Sequence, residues 1–350
     1  MKQIELGIST FGDTSELVGT GKPLAHDQRL RDLVEEIELA DQVGLDFYGI
    51  GEHHREDFAV SAPEIVLAAG AVKTKRIRLS SAVTVLSSID PIRLYQQYAT
   101  IDALSNGRAE IMAGRGSFTE SFPLFGYDLK DYEELSDEKL EMLLAIKDST
   151  YLNWTGKHTQ TVDNKPVLPR AVQKDFSIWV ATGGNAASTV KIAEKGLPIA
   201  YVIIGGNPRA FKQLTKAYRE IGQQAGHDSD RLKIAAYSLG WLAETTEQAV
   251  EDYFLPTKIA SDNIGRTRPY WRPLTREYYD SAVGPDGAMF VGDADTVAEK
   301  MIRLIEDLDL DRFMLHLPIG SMPYAETLKA IRIYGEQVEP KVRAYFAGKA

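Results

Sequence analysis

The sequence contains no cysteine, which removes several kinds of chemistry at once. Without a thiol there is no disulfide framework, no thiolate nucleophile and no cysteine-ligated zinc or iron–sulfur centre. Positive charge is also scarce: 40 Lys and Arg stand against 50 Asp and Glu, a formal net charge of −10 over 350 residues. That balance disfavours nucleic acid and anionic membranes as partners. Long apolar runs are missing too. Residues 1–10 carry neither the basic flank nor the apolar stretch of a secretion signal, and no segment approaches bilayer length, so a cytoplasmic protein is expected. No fixed-period repeat, low-complexity tract or linker divides the chain, and one domain over 1–350 is expected.

What is present is alternation. Strand-like segments at 4–9, 46–50, 77–86, 109–113, 177–181, 199–204, 233–242 and 311–317 are separated by helical patterns with apolar residues three and four apart, such as Leu30, Leu33, Val34, Ile37 and Ala40. Eight strand–helix units in one chain predict an α/β fold, a (β/α)8 TIM barrel with insertions. The rival fold, an open doubly wound sheet, would place a dinucleotide glycine fingerprint after the first strand. Gly12-Asp13-Thr14 does not open a helix, and that fingerprint is absent.

Residues 102–118 compress a helix end, a tight turn, a short buried strand and a glycine-flanked arginine into one run. Ser105-Asn106-Gly107 tolerates positive φ and turns the chain. Arg115 then emerges at the strand's carboxyl end between Gly114 and Gly116, where a planar guanidinium suits phosphate. Taken alone, Gly-Arg-Gly is more often an arginine on an ordinary surface loop.

A barrel places its chemistry at the carboxyl ends of its strands. Thr10 and Phe11 follow the first strand, Glu52-His53-His54 the second, Ser87, Ser88 and Asp90 the third, and Arg115 with Ser117 the fourth. Thr182-Gly183-Gly184-Asn185 follows the fifth and leads into a helix with Ser188 and Thr189 in its first turn. Free N–H groups and the positive end of a helix dipole at such a turn hold a phosphate, with Arg115 neutralising it. Simple capping by Asn185 is the competing explanation. Phe11 and Glu52 are the substrate-facing candidates.

Two stretches break the repeat and are expected as insertions. Residues 151–172 read as an irregular excursion with a small hairpin. Residues 255–290 combine Lys258, Arg266, Arg268, Arg272 and Arg276 with Tyr270, Trp271, Tyr278 and Tyr279 in an otherwise acidic chain. They are read either as a lid over an anionic ligand or as a solvated loop whose aromatics pack on the barrel.

Over nearly its whole length the chain resembles the bacterial luciferase-like flavin-dependent monooxygenases. The resemblance is carried by Gly51-Glu-His-His54, by Asp102-Ala-Leu-Ser-Asn-Gly-Arg108 followed by Gly114-Arg-Gly116, by Thr182-Gly-Gly-Asn185 with Gly196-Leu-Pro198, and by Met289-Phe-Val-Gly-Asp293 before a helix. It implies FMN bound at the carboxyl ends of the strands beneath a mobile insertion. Residue by residue, it implies that Arg115 and Ser117 contact the flavin phosphate, with Thr182, Gly183, Gly184, Asn185, Ser188 and Thr189 as the helix-start half of that pocket. His53 matches a histidine near the reactive face of the flavin and is the catalytic candidate. Ala82-Val83 falls where the family often has a non-proline cis peptide beneath the ring. Gly114 stands where the light-emitting member has cysteine, so light emission and a long-chain aldehyde substrate do not carry over.

The reaction implied is oxygenation of a small organic substrate by reduced flavin and molecular oxygen, with the protein excluding water. An imidazole that titrates near neutral pH would suit His53 to manage a proton, and His54 is read as structural. A separate reductase is expected to supply reduced flavin, and a homodimer is expected through the helices near 63–73 and 91–104. Three alternatives remain open: a deazaflavin-dependent dehydrogenase of the same fold, a non-catalytic flavin binder, and a metal-dependent hydrolase using Glu52, His53, His54 and Asp90.

Overall fold

The computed structural model describes residues 4–268 and 271–349. Pro269 and Tyr270 of the aromatic, basic stretch lie outside the described residues.

Eight parallel strands form the frame: Glu5–Thr10 (β1), Phe47–Ile50 (β2), Arg78–Ser81 (β3), Ala109–Gly114 (β4), Ile178–Thr182 (β5), Ile199–Val202 (β6), Ile234–Leu242 (β7) and Arg312–His316 (β8). They pair in chain order, and β8 returns to β1 with Glu5 opposite Arg312 and Ser9 opposite His316, so the barrel is closed. Around it run the helices His26–Gln42 (α1), Pro63–Lys73 (α2), Pro91–Ser105 (α3), Tyr132–Asp148 (α4), Ala186–Glu194 (α5), Lys212–Gln224 (α6), Thr246–Gly265 (α7), Arg276–Val283 (α8), Ala294–Leu308 (α9), Tyr324–Ile333 (α10) and Glu339–Ala347 (α11). Among the described residues no helix is long and apolar enough to cross a membrane.

Local chemistry explains the joints. α3 starts where the Asp90 carboxylate accepts the Arg93 N–H at 2.9 Å and Pro91 supplies a preset φ. It stops at Asn106 (φ +57) and Gly107 (φ +85), the left-handed turn expected of Ser105-Asn106-Gly107. Arg108 then inserts its guanidinium among the carbonyls of Ala71, Thr74, Ile77 and Ser105, which welds α2 and α3 to the strands.

The amino end of the barrel is plugged by Arg312. Its guanidinium lies 4.5 Å from the Phe47 ring centre and 4.4 Å from that of Trp179, and it bonds Glu5 and Glu110. A charge buried this deeply is tolerable only when paired and hydrogen-bonded in this way. The plug leaves the carboxyl end for a site.

Two expectations need adjusting and a third holds. The strand expected at 77–86 is interrupted: after β3 comes Ala82-Val83, whose peptide is cis, and Thr84–Val85 pairs separately with Ala113 and Gly114. The small hairpin expected within 151–172 is present, Tyr151–Trp154 paired with Val162–Pro166. Residues 255–290 are mostly not a loop, since α7 continues to Gly265 and α8 occupies Arg276–Val283. Pro256 lies inside α7, although proline in a helix interior forfeits a hydrogen bond. Burial of Tyr253, Pro256, Thr257, Ala260 and Ile264 along one face carries the helix through it.

Candidate active site

The two halves of the expected anion pocket share one rim. β5 runs beside β4 with Val180 opposite Ala113, so continuing the register sets Thr182 level with Arg115. Beyond Thr182 the chain turns at Gly184 (φ +93), where a Cβ would sit 2.6 Å from the Phe211 ring; only glycine suits that position. Asn185 caps α5, accepting the Ser188 N–H at 3.0 Å, so the capping explanation holds for its side chain. Thr189 turns inward and donates its hydroxyl to the Asn185 carbonyl at 3.1 Å, bracing the helix instead of facing outward. What remains presented at the rim is Ser188, the open backbone at Gly183 and the dipole end of α5.

Arg115 is half-buried. Its Nη1 reaches Glu133 at 3.1 Å and its guanidinium lies 5.6 Å from the Tyr132 ring centre. Both Arg115 and Glu133 act electrostatically on Lys191 of α5, which places the guanidinium near the helix it was expected to serve. Ser117 is exposed, and its carbonyl accepts from Arg268.

Glu52, expected to face a substrate, has both carboxylate oxygens engaged within the protein. One carboxylate oxygen bonds His54 Nε2 at 2.8 Å and the other accepts the Val85 N–H at 2.9 Å, while the Glu52 N–H donates to the Val83 carbonyl at 3.2 Å. The residue buttresses the 82–85 segment. With Glu52 and His54 committed to each other and Asp90 capping α3, the ligand set of the metal-hydrolase alternative is not assembled. Among the described residues, the carboxylate and histidine grouping with metal-like spacing is Asp131 just before α4, Glu134 in its first turn and His158 in the hairpin loop.

His53 enters a different environment. Its ring centre lies 4.6 Å from that of Phe11, 4.4 Å from Phe58 and 4.5 Å from Phe118, and its Nδ1 has no protein partner. Burial, reinforced by His316, Arg55 and other nearby positive groups, pushes the imidazole down to about 3. At neutral pH the ring is therefore neutral, and the expected near-neutral titration is lost. Phe11 packs between His53 and a second histidine, His316, 4.3 Å away at the end of β8. His316 Nδ1 bonds the Tyr237 hydroxyl at 2.7 Å, its Nε2 is unpartnered, and burial takes it to about 3 as well. Asp13, in the loop after β1, accepts the Gly320 N–H at 2.9 Å through one oxygen, and the other is buried without a partner. Desolvation pushes that carboxyl up to about 7.

His316, Tyr237, Phe58, Phe118 and Asp13 were not singled out in the sequence. The barrel rule, applied to the last strand as to the first, would have found His316. The rings of Phe58 and Phe118 carry no polar signal, and only the fold gathers them.

The mouth is roofed. Phe118 lies 4.3 Å from the Arg268 guanidinium and 5.5 Å from that of Arg55. Arg55 in turn bonds Asp57, Glu120, the Thr267 hydroxyl and the Asn263 carbonyl, joining the loop after β2 to the end of α7. His53 is consequently only 8% exposed. A recess of about 560 Å³, lined by Glu5, Asp46, Arg76, Arg78, Arg108 and Lys233, opens at the opposite end of the barrel, away from this chemistry.

Known proteins share both frame and sequence pattern. The N-acetyl-S-alkylcysteine monooxygenase of Bacillus subtilis is 25% identical over 317 residues, covering 87% of this chain and 90% of the relative. The oxygenating constituent of 3,6-diketocamphane monooxygenase from Pseudomonas putida, solved with FMN, superposes with a TM-score of 0.73 at 20% identity over 97% of this chain and 99% of its own. An F420-dependent secondary alcohol dehydrogenase, solved with an F420–acetone adduct, gives 0.72 at 17% over the same shares. These two structures speak for the fold. The model of the luciferase-like monooxygenase family matches residues 4–311, spanning the barrel from its first strand almost to its last, and the chain belongs to that family.

Proposed function

We propose that this protein binds FMN at the carboxyl ends of its strands and uses reduced flavin with molecular oxygen to oxygenate a small organic substrate. The observation that carries the reading is a set of buried polar atoms without protein partners at those strand ends: His53 Nδ1, Thr84 Oγ1, Thr182 Oγ1 and His316 Nε2. A buried group left unsatisfied costs about 1–3 kcal/mol, so a site that collects several is built for a ligand with donors and acceptors of its own. Arg115 and the amino end of α5 fit the phosphate. The monooxygenase name of the Bacillus relative and the FMN in the Pseudomonas structure support the choice of reaction and cofactor.

When bound, reduced flavin supplies the electrons that activate oxygen. The chain's own residues do the rest. Arg115, the α5 N–H groups and Ser188 hold the phosphate, and the Glu52-braced 82–85 segment gives the site a fixed wall. Phe11, Phe58 and Phe118 keep water from the basin. His53, neutral at working pH, offers a hydrogen bond at Nδ1 and does not serve as a charged acid. Reduced flavin comes from a separate reductase, and the working unit is a homodimer.

The second reading, a deazaflavin-dependent dehydrogenase, is favoured by the near-equal superposition on the F420 enzyme. The absorption spectrum of the cofactor that copurifies separates the two. The phosphate assignment is tested by Arg115→Ala, for which FMN affinity falls by about 2–3 kcal/mol while riboflavin, which lacks the phosphate, binds parent and variant alike. Equal FMN affinity in both proteins, measured by quenching of flavin fluorescence, rejects it.

A further inference from the structure

α4 carries three carboxylates one helical turn apart, Glu133, Asp137 and Glu141, and each meets a cation. Asp137 takes Lys191 at 2.6 Å, and Glu141 takes Lys195, the residue just past the end of α5. These lower rungs tie helix to helix. The top rung is different, because Glu133 takes Arg115, the residue assigned above to the phosphate. It does so from an open position: the Glu133 side chain is 76% exposed, and Arg115, at 38%, is the cation it pairs with.

We infer that Glu133 is a built-in competitor for the cofactor's phosphate, occupying Arg115 until the anion displaces it. The inference rests on the proposed phosphate site. Its chemistry is an exchange of one carboxylate for one phosphate at the same guanidinium, and the favourable part of phosphate binding is reduced by the ion pair that must open. The pair also holds Arg115 beside Tyr132 in the absence of ligand, so the guanidinium is kept at the rim and is not free to fold away. The consequence is a flavin held loosely enough to exchange. That property serves a protein that must release oxidised flavin and take up the reduced form from another protein.

The test is a set of affinities for FMN and riboflavin, read by flavin fluorescence at low and high salt, in the parent, Glu133→Gln, Arg115→Ala and the double variant. Glu134→Gln is the control, because Glu134 is one residue away but committed to Lys157 and His158. An exposed ion pair is worth up to about 1 kcal/mol, so Glu133→Gln should tighten FMN about two- to five-fold. Riboflavin should be unaffected, the gain should shrink with added salt, and it should largely vanish when Arg115 is absent. Unchanged or weaker FMN binding in Glu133→Gln, with Arg115→Ala still defective, overturns the competitor and leaves the phosphate site standing. An equal gain in the Arg115→Ala background, or in Glu134→Gln, also overturns it, since that is a general field effect. If Arg115→Ala itself leaves FMN affinity unchanged, the phosphate site fails and the competitor with it.

Discussion

Burial acts on the ionisable residues of the mouth in opposite directions. For His53 and His316 it depresses the folded-state pKa to about 3, below the usual 6.5. Their contribution to stability is complete above pH 6.5 and is lost as the pH falls toward 3. For Asp13 it raises the folded-state pKa from 3.8 to about 7, so its contribution is complete below pH 3.8 and is lost as the pH rises through 7. Asp13→Asn removes that opposing contribution. Between pH 7 and pH 5 the parent should therefore gain about 2 kcal/mol of stability relative to the variant, measured by urea unfolding. Parallel stability profiles for the two proteins would show that Asp13 does not titrate as its burial requires. Gly114 makes a second prediction at this scale. A Cβ there would lie 2.6 Å from a methyl of Val83, a side chain with little rotamer freedom, so Gly114→Ala should cost about 1–3 kcal/mol in thermal or urea unfolding. The light-emitting cysteine therefore has no room at this position.

Among the elements, the end of α7 and the residues just past it, Thr267 and Arg268, lie against Arg55 and Phe118 at the mouth. Lys258 lies inside α7 paired with Asp262 at 2.6 Å, and Arg276 opens α8 paired with Asp280 at 2.7 Å and with Glu251. Both cations pair with carboxylates of α7 and α8, and the patch's other arginines, Arg266, Arg268 and Arg272, lie between the two helices. Of these, Arg268 grips Ser117 and Phe118 directly above His53. Trypsin cannot cut efficiently before Pro269 or Pro273, which leaves the exposed Arg266 as the susceptible bond. FMN should slow cleavage after Arg266, and Arg268→Ala should speed it several-fold in the absence of flavin. Identical digestion with and without FMN would reduce the segment to a surface connection.

For the whole molecule, α2 and α3 present apolar side chains that none of the described residues covers: Ile65 is 65% exposed, Val72 69% and Leu104 51%. Adjacent helices exposing such residues suit a two-fold contact with a second copy. Sedimentation at micromolar concentration should show a species of twice the chain mass, and Ile65→Glu with Val72→Glu should convert it to the monomer without loss of helical signal. A parent protein that sediments as a monomer refutes the dimer.

The alternation of strand and helix patterns, read residue by residue, was enough to determine the closed barrel, because the spacing of apolar side chains encodes which face of each element is buried. The turn at Ser105-Asn106-Gly107, the cap at Asn185 and the glycine at 184 were equally legible, since each is a local backbone requirement. Other features were decided by distant partners. In the sequence nothing sets Glu52 apart from its histidine neighbours, yet the Val85 N–H, 33 residues away, turns it into a brace. Helix α7 passes through Pro256 because its buried face outweighs one lost hydrogen bond. His53 and His316, separated by most of the chain, become neutral together because desolvation depends on what surrounds a ring in space. Local conformational preferences are written in short stretches of sequence, whereas burial and electrostatics sum over everything nearby, and only the tertiary structure specifies what is near.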